Sequence, residues 1–109
     1  ITSTGFLNLS RAAAEVGYVL DTLPEPHPIF RLIQHCGQVS DEQMFFTYNM
    51  GIGFCVLVAP EDADAAQQVA RTHGVQHCLL GRAVRDPERK VSIPAWGLVG
   101  SGGRFYRQR

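Results

Sequence analysis

The chain has 109 residues, 45% of them apolar, with ten basic and ten acidic side chains that cancel at neutral pH. That length fits one domain able to bury roughly two-thirds of its unfolded surface, and no apolar run nears the ~20 residues of a membrane-spanning helix. The charge is uneven: residues 1–81 hold three basic and eight acidic residues, whereas residues 82–109 hold seven and two, which sets the tail apart electrostatically.

Ile1 to Thr4 reads as the end of a strand or a lead-in loop, with Thr4 placed to cap a helix that starts near Gly5. Phe6, Leu9 and Ala13 recur on one helical face, and Gly17 can stop that helix. Tyr18-Val19-Leu20 is a short strand candidate. Pro24-Glu25-Pro26-His27-Pro28 cannot be regular in its interior, because each proline lacks an amide donor and pushes its predecessor out of helix space. Pro28 suits the first position of a new helix. Ile29, Leu32, Ile33 and Cys36 then mark its expected buried face, and Gly37 its end. Ser40-Asp41-Glu42-Gln43 reads as a capping box, followed by a short helix that turns Met44, Phe45 and Tyr48 inward.

Thr47-Tyr48-Asn49-Met50-Gly51-Ile52-Gly53-Phe54-Cys55-Val56-Leu57-Val58 is the most informative stretch. Its apolar half has the length and composition of a strand covered on both faces. Glycines at the mouth of a strand mark a bulge or a place where something approaches the backbone, so both a plain bulge and a wall of a ligand cleft remain open. Pro60-Glu61-Asp62 opens another helix with acids on its positive end. Ala63, Ala66 and Ala70 give that helix a smooth face suited to a sheet, and Gly74 closes it. Cys78 to Val84 is the next strand candidate, Asp86 to Arg89 a turn, and Lys90 to Ile93 an edge strand by its alternation. Past Pro94, only Trp96, Leu98, Val99 and Phe105 could anchor the chain, and Gly100-Ser101-Gly102-Gly103 is expected to be mobile unless bound. The order of elements predicts an α+β fold, a mixed and largely antiparallel sheet with helices packed on one face. Residues 1–93 form the expected domain, and residues 94–109 a basic, Gly-rich extension.

Asn49-Met50-Gly51-Ile52-Gly53, preceded by Met44 and Thr47, resembles a signature of the C-terminal domain of phosphoribosylformylglycinamidine cyclo-ligase, the AIR synthase family. Ile1-Thr2-x-x-Gly5-x-Leu7 resembles that family's Ile-Thr-Gly-Gly-Gly-Leu opening. Pro28-Ile29-Phe30-Arg31 and Pro60-Glu61-Asp62-Ala63 fall in the family's order. The architecture is shared with selenophosphate synthetase, thiamine-monophosphate kinase and a hydrogenase-maturation protein, but these motifs point to the cyclo-ligase branch. The resemblance implies an enzyme of purine biosynthesis that closes an imidazole ring. It uses ATP with Mg²⁺ to activate a formamide oxygen as a phosphate, which an amine then displaces. It also implies that nucleotide and metal are held mainly by an N-terminal ATP-binding domain, with this chain the substrate-side piece, inactive alone and cytoplasmic. The implied partners are that domain and a small phosphorylated substrate, with a homodimer left open. Absence of an initiator Met agrees with a fragment. Three departures stand out: Ser3 and Thr4 replace two glycines of the opening triple, and Phe46 stands where the family usually has arginine. They keep open a second reading, a cyclo-ligase-like module that is non-catalytic or binds a divergent substrate.

The candidate substrate-binding residues are Thr4 and Gly5, toward a phosphate through hydroxyl and free amides, with Asn49, Gly51 and Gly53 lining the cleft. No catalytic residue can be assigned. His27, in the proline loop, is the one histidine worth testing for catalysis. His27, His35, His73 and His77 lack metal-ligand spacing, since Gly74 interrupts the His73/His77 pair, so no metal site is expected. Cys36, Cys55 and Cys78, odd in number and scattered, fit structural thiols in a reducing compartment. The tail lacks the Lys-Ser/Thr of a phosphate-binding loop and has few interleaved aromatics, so neither nucleic acid nor membrane is an expected partner.

Overall fold

A computed structural model of the chain describes residue 1 and residues 3–108; Thr2 of the opening motif and Arg109 of the tail lie outside the described residues. A 3-10 helix (Gly5–Arg11) leads into strand β1 (Val16–Val19). Helices α1 (Pro28–Gly37) and α2 (Asp41–Thr47) follow, then a 3-10 turn (Pro60–Asp62) running into α3 (Ala63–Thr72). Strands β2 (Arg82–Arg85), β3 (Val91–Ile93), β4 (Leu98–Ser101) and β5 (Arg104–Arg107) complete the chain.

The five strands form one sheet in the order β2-β1-β3-β4-β5. Only the β1–β3 pair is parallel, with Tyr18 opposite Val91; β1–β2, β3–β4 and β4–β5 are antiparallel. Alternation decides which face is buried. Val91 and Ile93 of β3, Leu98 of β4 and Phe105 of β5 all turn inward, the first three with no exposed surface. The N-terminal 3-10 helix and α2 cover that face, as expected for an α+β domain with helices on one side. Phe45 of α2 is the hub. Its ring lies 6.0 Å from Phe6, 5.0 Å from Trp96 and 6.4 Å from Phe105, with the last two edge-on, and edge-on pairs add about 0.5–1.5 kcal/mol each beyond burial.

Several local expectations hold for the stated reasons. Pro28 starts α1. The Ser40 hydroxyl accepts from the Gln43 amide at 3.2 Å and caps α2, while the Gln43 side chain bonds Thr47 rather than closing the box. Other expectations are corrected. Gly17 lies buried inside β1 rather than ending a helix. Thr4 makes no side-chain cap and sits at φ 56°, and the element after it is 3-10 rather than α. Gln38, left-handed at φ 51°, is the C-cap of α1 in place of Gly37. On α1 the supposed buried face is largely open: Ile29, Leu32 and Cys36 are exposed, and only Ile33 is half-buried. β3 is not an edge strand but lies between β1 and β4.

The described residues of the tail belong to the fold. Residues 98–107 form a hairpin that extends the sheet, and Arg107 of β5 pairs with Asp41 and Glu42 in the first turn of α2. The boundary expected between 93 and 94 therefore falls between neighbouring strands of one sheet.

The largest correction concerns residues 54–58. They form no strand, and Phe54 (84% exposed), Val56, Leu57 and Val58 are all open to solvent. On α3, Val69 is itself 60% exposed, while Ala63, Ala66 and Ala70 are half-buried. The apolar run recorded a need for cover that no described residue of this chain meets.

Candidate functional site

Two distant stretches named as site candidates are brought side by side. The Ile1 nitrogen donates to the Gly53 carbonyl at 2.7 Å. Gly5 is pressed against the end of α2: a Cβ there would lie 2.6 Å from the Tyr48 carbonyl oxygen and closer still to that of Phe45. With φ at +50° as well, Gly5 is required by packing and backbone conformation alike. Its neighbours Ser3 (φ 51°) and Thr4 (φ 56°) share that left-handed backbone while carrying side chains. These are the two positions at which the resembling family has glycine.

The signature loop is a tight turn built by its own side chain. Asn49 Oδ1 accepts from the Gly51 amide at 2.9 Å, and the Asn49 carbonyl accepts from Ile52 at 3.0 Å. An asparagine that bonds two residues ahead is a turn maker, so Asn49 shapes the site from behind. Gly51, at φ +100°, has the His27 imidazole over it, 2.6 Å from where a Cβ would stand. Gly53 has none of the described residues within 4 Å of that position. The two glycines thus do different things: Gly51 admits the histidine, and Gly53 leaves bare main chain.

Beside this turn lies an open cleft of about 240 Å³. Pro24, Glu25 and His27 of the proline loop form one side, Met50, Gly51 and Ile52 the floor, and Gln76, His77 and Cys78 the other side. The Glu25 carboxylate is held by Arg31. His77 bonds the Val75 carbonyl through Nδ1 at 2.8 Å, which leaves Nε2 for a ligand. Of the five candidates, Gly51 lines the cleft, Asn49 and Gly53 flank it, and Thr4 and Gly5 stand outside its lining. Gln76 carries no signal in the sequence, and His77 and Cys78 read there only as an unsuited metal ligand and a structural thiol, not as walls of a cleft. Phe46 packs against the core and brings no charge to the loop.

Among the described residues no group of three or more His, Cys, Asp or Glu could hold a metal ion, and no helix is long and apolar enough to cross a membrane. Cys36 and Cys78 are exposed free thiols rather than buried ones. Cys55 is half-buried, and burial pushes its thiol pKa up.

A mixed sheet backed by helices on one face, with a glycine turn opening on a cleft, defines an α+β domain. The chain belongs to the family described as AIR synthase related protein, C-terminal domain, which matches residues 1–94. It is similar to phosphoribosylformylglycinamidine cyclo-ligase from Methanocaldococcus jannaschii, 48% identical over 84 residues, covering 77% of this chain and 24% of that protein. The protein of the same name from Methanococcus maripaludis strain C5 is 48% identical over 82 residues, 75% of this chain and 24% of its own length. That from Methanothermobacter thermautotrophicus is 51% identical over 69 residues, 63% of this chain and 20% of its own. The chain thus spans about a quarter of the length of the curated relatives it matches.

Proposed function

We propose that this chain is the substrate-side domain of an ATP-dependent phosphoribosylformylglycinamidine cyclo-ligase, working in the cytoplasm in purine biosynthesis. The observation that carries the reading is the cleft floored by Met50, Gly51 and Ile52, within a chain whose named relatives are cyclo-ligases. ATP would activate the formamide oxygen of the substrate as a phosphate. Nucleotide and metal belong mainly to a separate N-terminal domain in this proposal. This chain's own part is binding and orientation. Gly53 gives main-chain access, Asn49 holds the turn in shape, His27 packs on Gly51, and Thr4 and Gly5, outside the cleft lining, would meet the substrate phosphate through hydroxyl and amides. The exposed run from Phe54 to Val58 supports a partner domain as well, because apolar surface of that kind is covered in working proteins.

The test is ring closure by the intact protein given ATP, Mg²⁺ and the formylglycinamidine ribotide, beside the isolated 109-residue chain. Turnover by the intact protein and none by the fragment supports the division of labour; appreciable turnover by the fragment contradicts it. The neutral Phe46, packed on the core, favours a second reading in which the substrate differs. Nucleotide binding without turnover of this ribotide would select it.

A further inference from the structure

A second cleft, of about 180 Å³, shares no lining residue with the first. Its walls come from three separate elements. The N-terminal 3-10 helix gives Leu7 and Ser10, the turn before β3 gives Glu88 and Arg89, and the β4–β5 hairpin gives Ser101, Gly102 and Gly103. We propose that this cleft binds a phosphate group of a small molecule.

Charge is the first argument. Glu88, the one acid on the walls, is paired with Lys90. Among the described residues the Arg89 guanidinium has no ion-pair partner, so it is the unspent cation of the site. Its base is fixed. Asp86 accepts from the amides of Glu88 and Lys90, each at 3.0 Å, and the Arg89 amide bonds the Asp86 carbonyl at 3.0 Å. Arg89 itself is held at φ 52°, in the left-handed region.

The hairpin supplies the complementary donors. Gly102 and Gly103 sit at φ +59° and +85°, and neither would meet anything within 4 Å if it carried a Cβ. Among the described residues no backbone carbonyl takes either amide. Two amides, the Ser101 hydroxyl and a guanidinium on residues that line one cleft are the donor types from which anion sites are built. Ser10 contributes less, because its hydroxyl already donates to the Leu7 carbonyl at 2.7 Å.

The test is an amide NMR titration of the 109-residue chain with inorganic phosphate, with sodium chloride at matched ionic strength as the comparison. Saturable shifts at Gly102 and Gly103 with phosphate alone are expected. Arg89→Gly should weaken the affinity tenfold or more while leaving the rest of the spectrum in place, because glycine accepts the left-handed backbone without strain. Arg89→Lys should fall between, and Arg71→Gln on α3 should change nothing. Shifts that sodium chloride reproduces, that never saturate, or that survive Arg89→Gly unchanged overturn the proposal. None of these results bears on the first cleft, which is tested through turnover.

Discussion

Replacing Ser3 and Thr4 together by glycine should stabilise this protein, although it removes two side chains and all their contacts. Both residues sit at φ above 50°, where an L-residue suffers a Cβ–carbonyl clash of roughly 1–2 kcal/mol. Glycine removes the clash but gives the unfolded chain more freedom, which costs about 0.5–1 kcal/mol per site. The balance is a gain of about 0.5 kcal/mol at each position and about 1 kcal/mol for the pair. In urea, with a slope near 1.5 kcal/mol/M for a chain of this size, that moves the midpoint up by about 0.7 M. The control is the double alanine variant, which loses the same hydroxyls yet keeps the Cβ atoms. Its midpoint should stay or fall. A double glycine variant with a midpoint at or below the parent's would refute the claim that these positions carry backbone strain.

Further predictions concern the other structural assignments. Gly5→Ala should cost about 3 kcal/mol, combining left-handed strain with a clash against fixed backbone carbonyls, and should be visible as a large drop in the urea midpoint. Truncation after Ile93 should abolish cooperative thermal unfolding. It strips β4 and β5 from the sheet and uncovers Val91, Ile93 and Phe45, whereas loss of a solvated extension would leave the melting curve unchanged. The Asp86 pKa is lowered first by the Lys90 amide hydrogen bond and then by that of Glu88, against some desolvation. A carboxylate whose folded pKa is depressed contributes stability that is fully present above its unfolded value and disappears as pH falls through the folded one. Asp86→Asn should therefore flatten the acid limb of stability against pH below about 4, where the Asp reference value lies, and an unchanged limb would contradict the role given to this turn.

The sequence carried the fold class and the helix starts, because those signals are local. Pro28, the Ser40 cap and the Met44–Phe45 pair depend only on near neighbours, and all appear where their chemistry places them. It failed where the decisive contacts are distant. Alternation in Lys90–Ile93 marked a strand, but its central position follows from pairing with β1 and β4 far along the chain. Leu98 and Phe105 looked like isolated anchors until the hairpin set them on one face with Val91 and Ile93. Phe54 to Val58 erred in the opposite sense, since composition states what a segment needs and not whether this chain supplies it. At the site, Gly51 and His27 were each legible, one as a glycine at a strand mouth and the other as a loop histidine. Their contact, and the opposite wall from Gln76 to Cys78, were not, because that wall is more than twenty residues away from the turn.

The central claim is that the glycine turn leaves main chain bare for a substrate, and Gly53→Ala in the intact protein tests it most directly. Among the described residues a Cβ at Gly53 meets nothing within 4 Å, so the melting temperature should hold within a degree or two of the parent's, by the small effect expected of a surface change. If a substrate occupies that space, KM for the formylglycinamidine ribotide should rise about tenfold, the ~1.4 kcal/mol of one lost close contact. An unaltered melting temperature together with an unaltered KM would mean that no substrate lies against this turn.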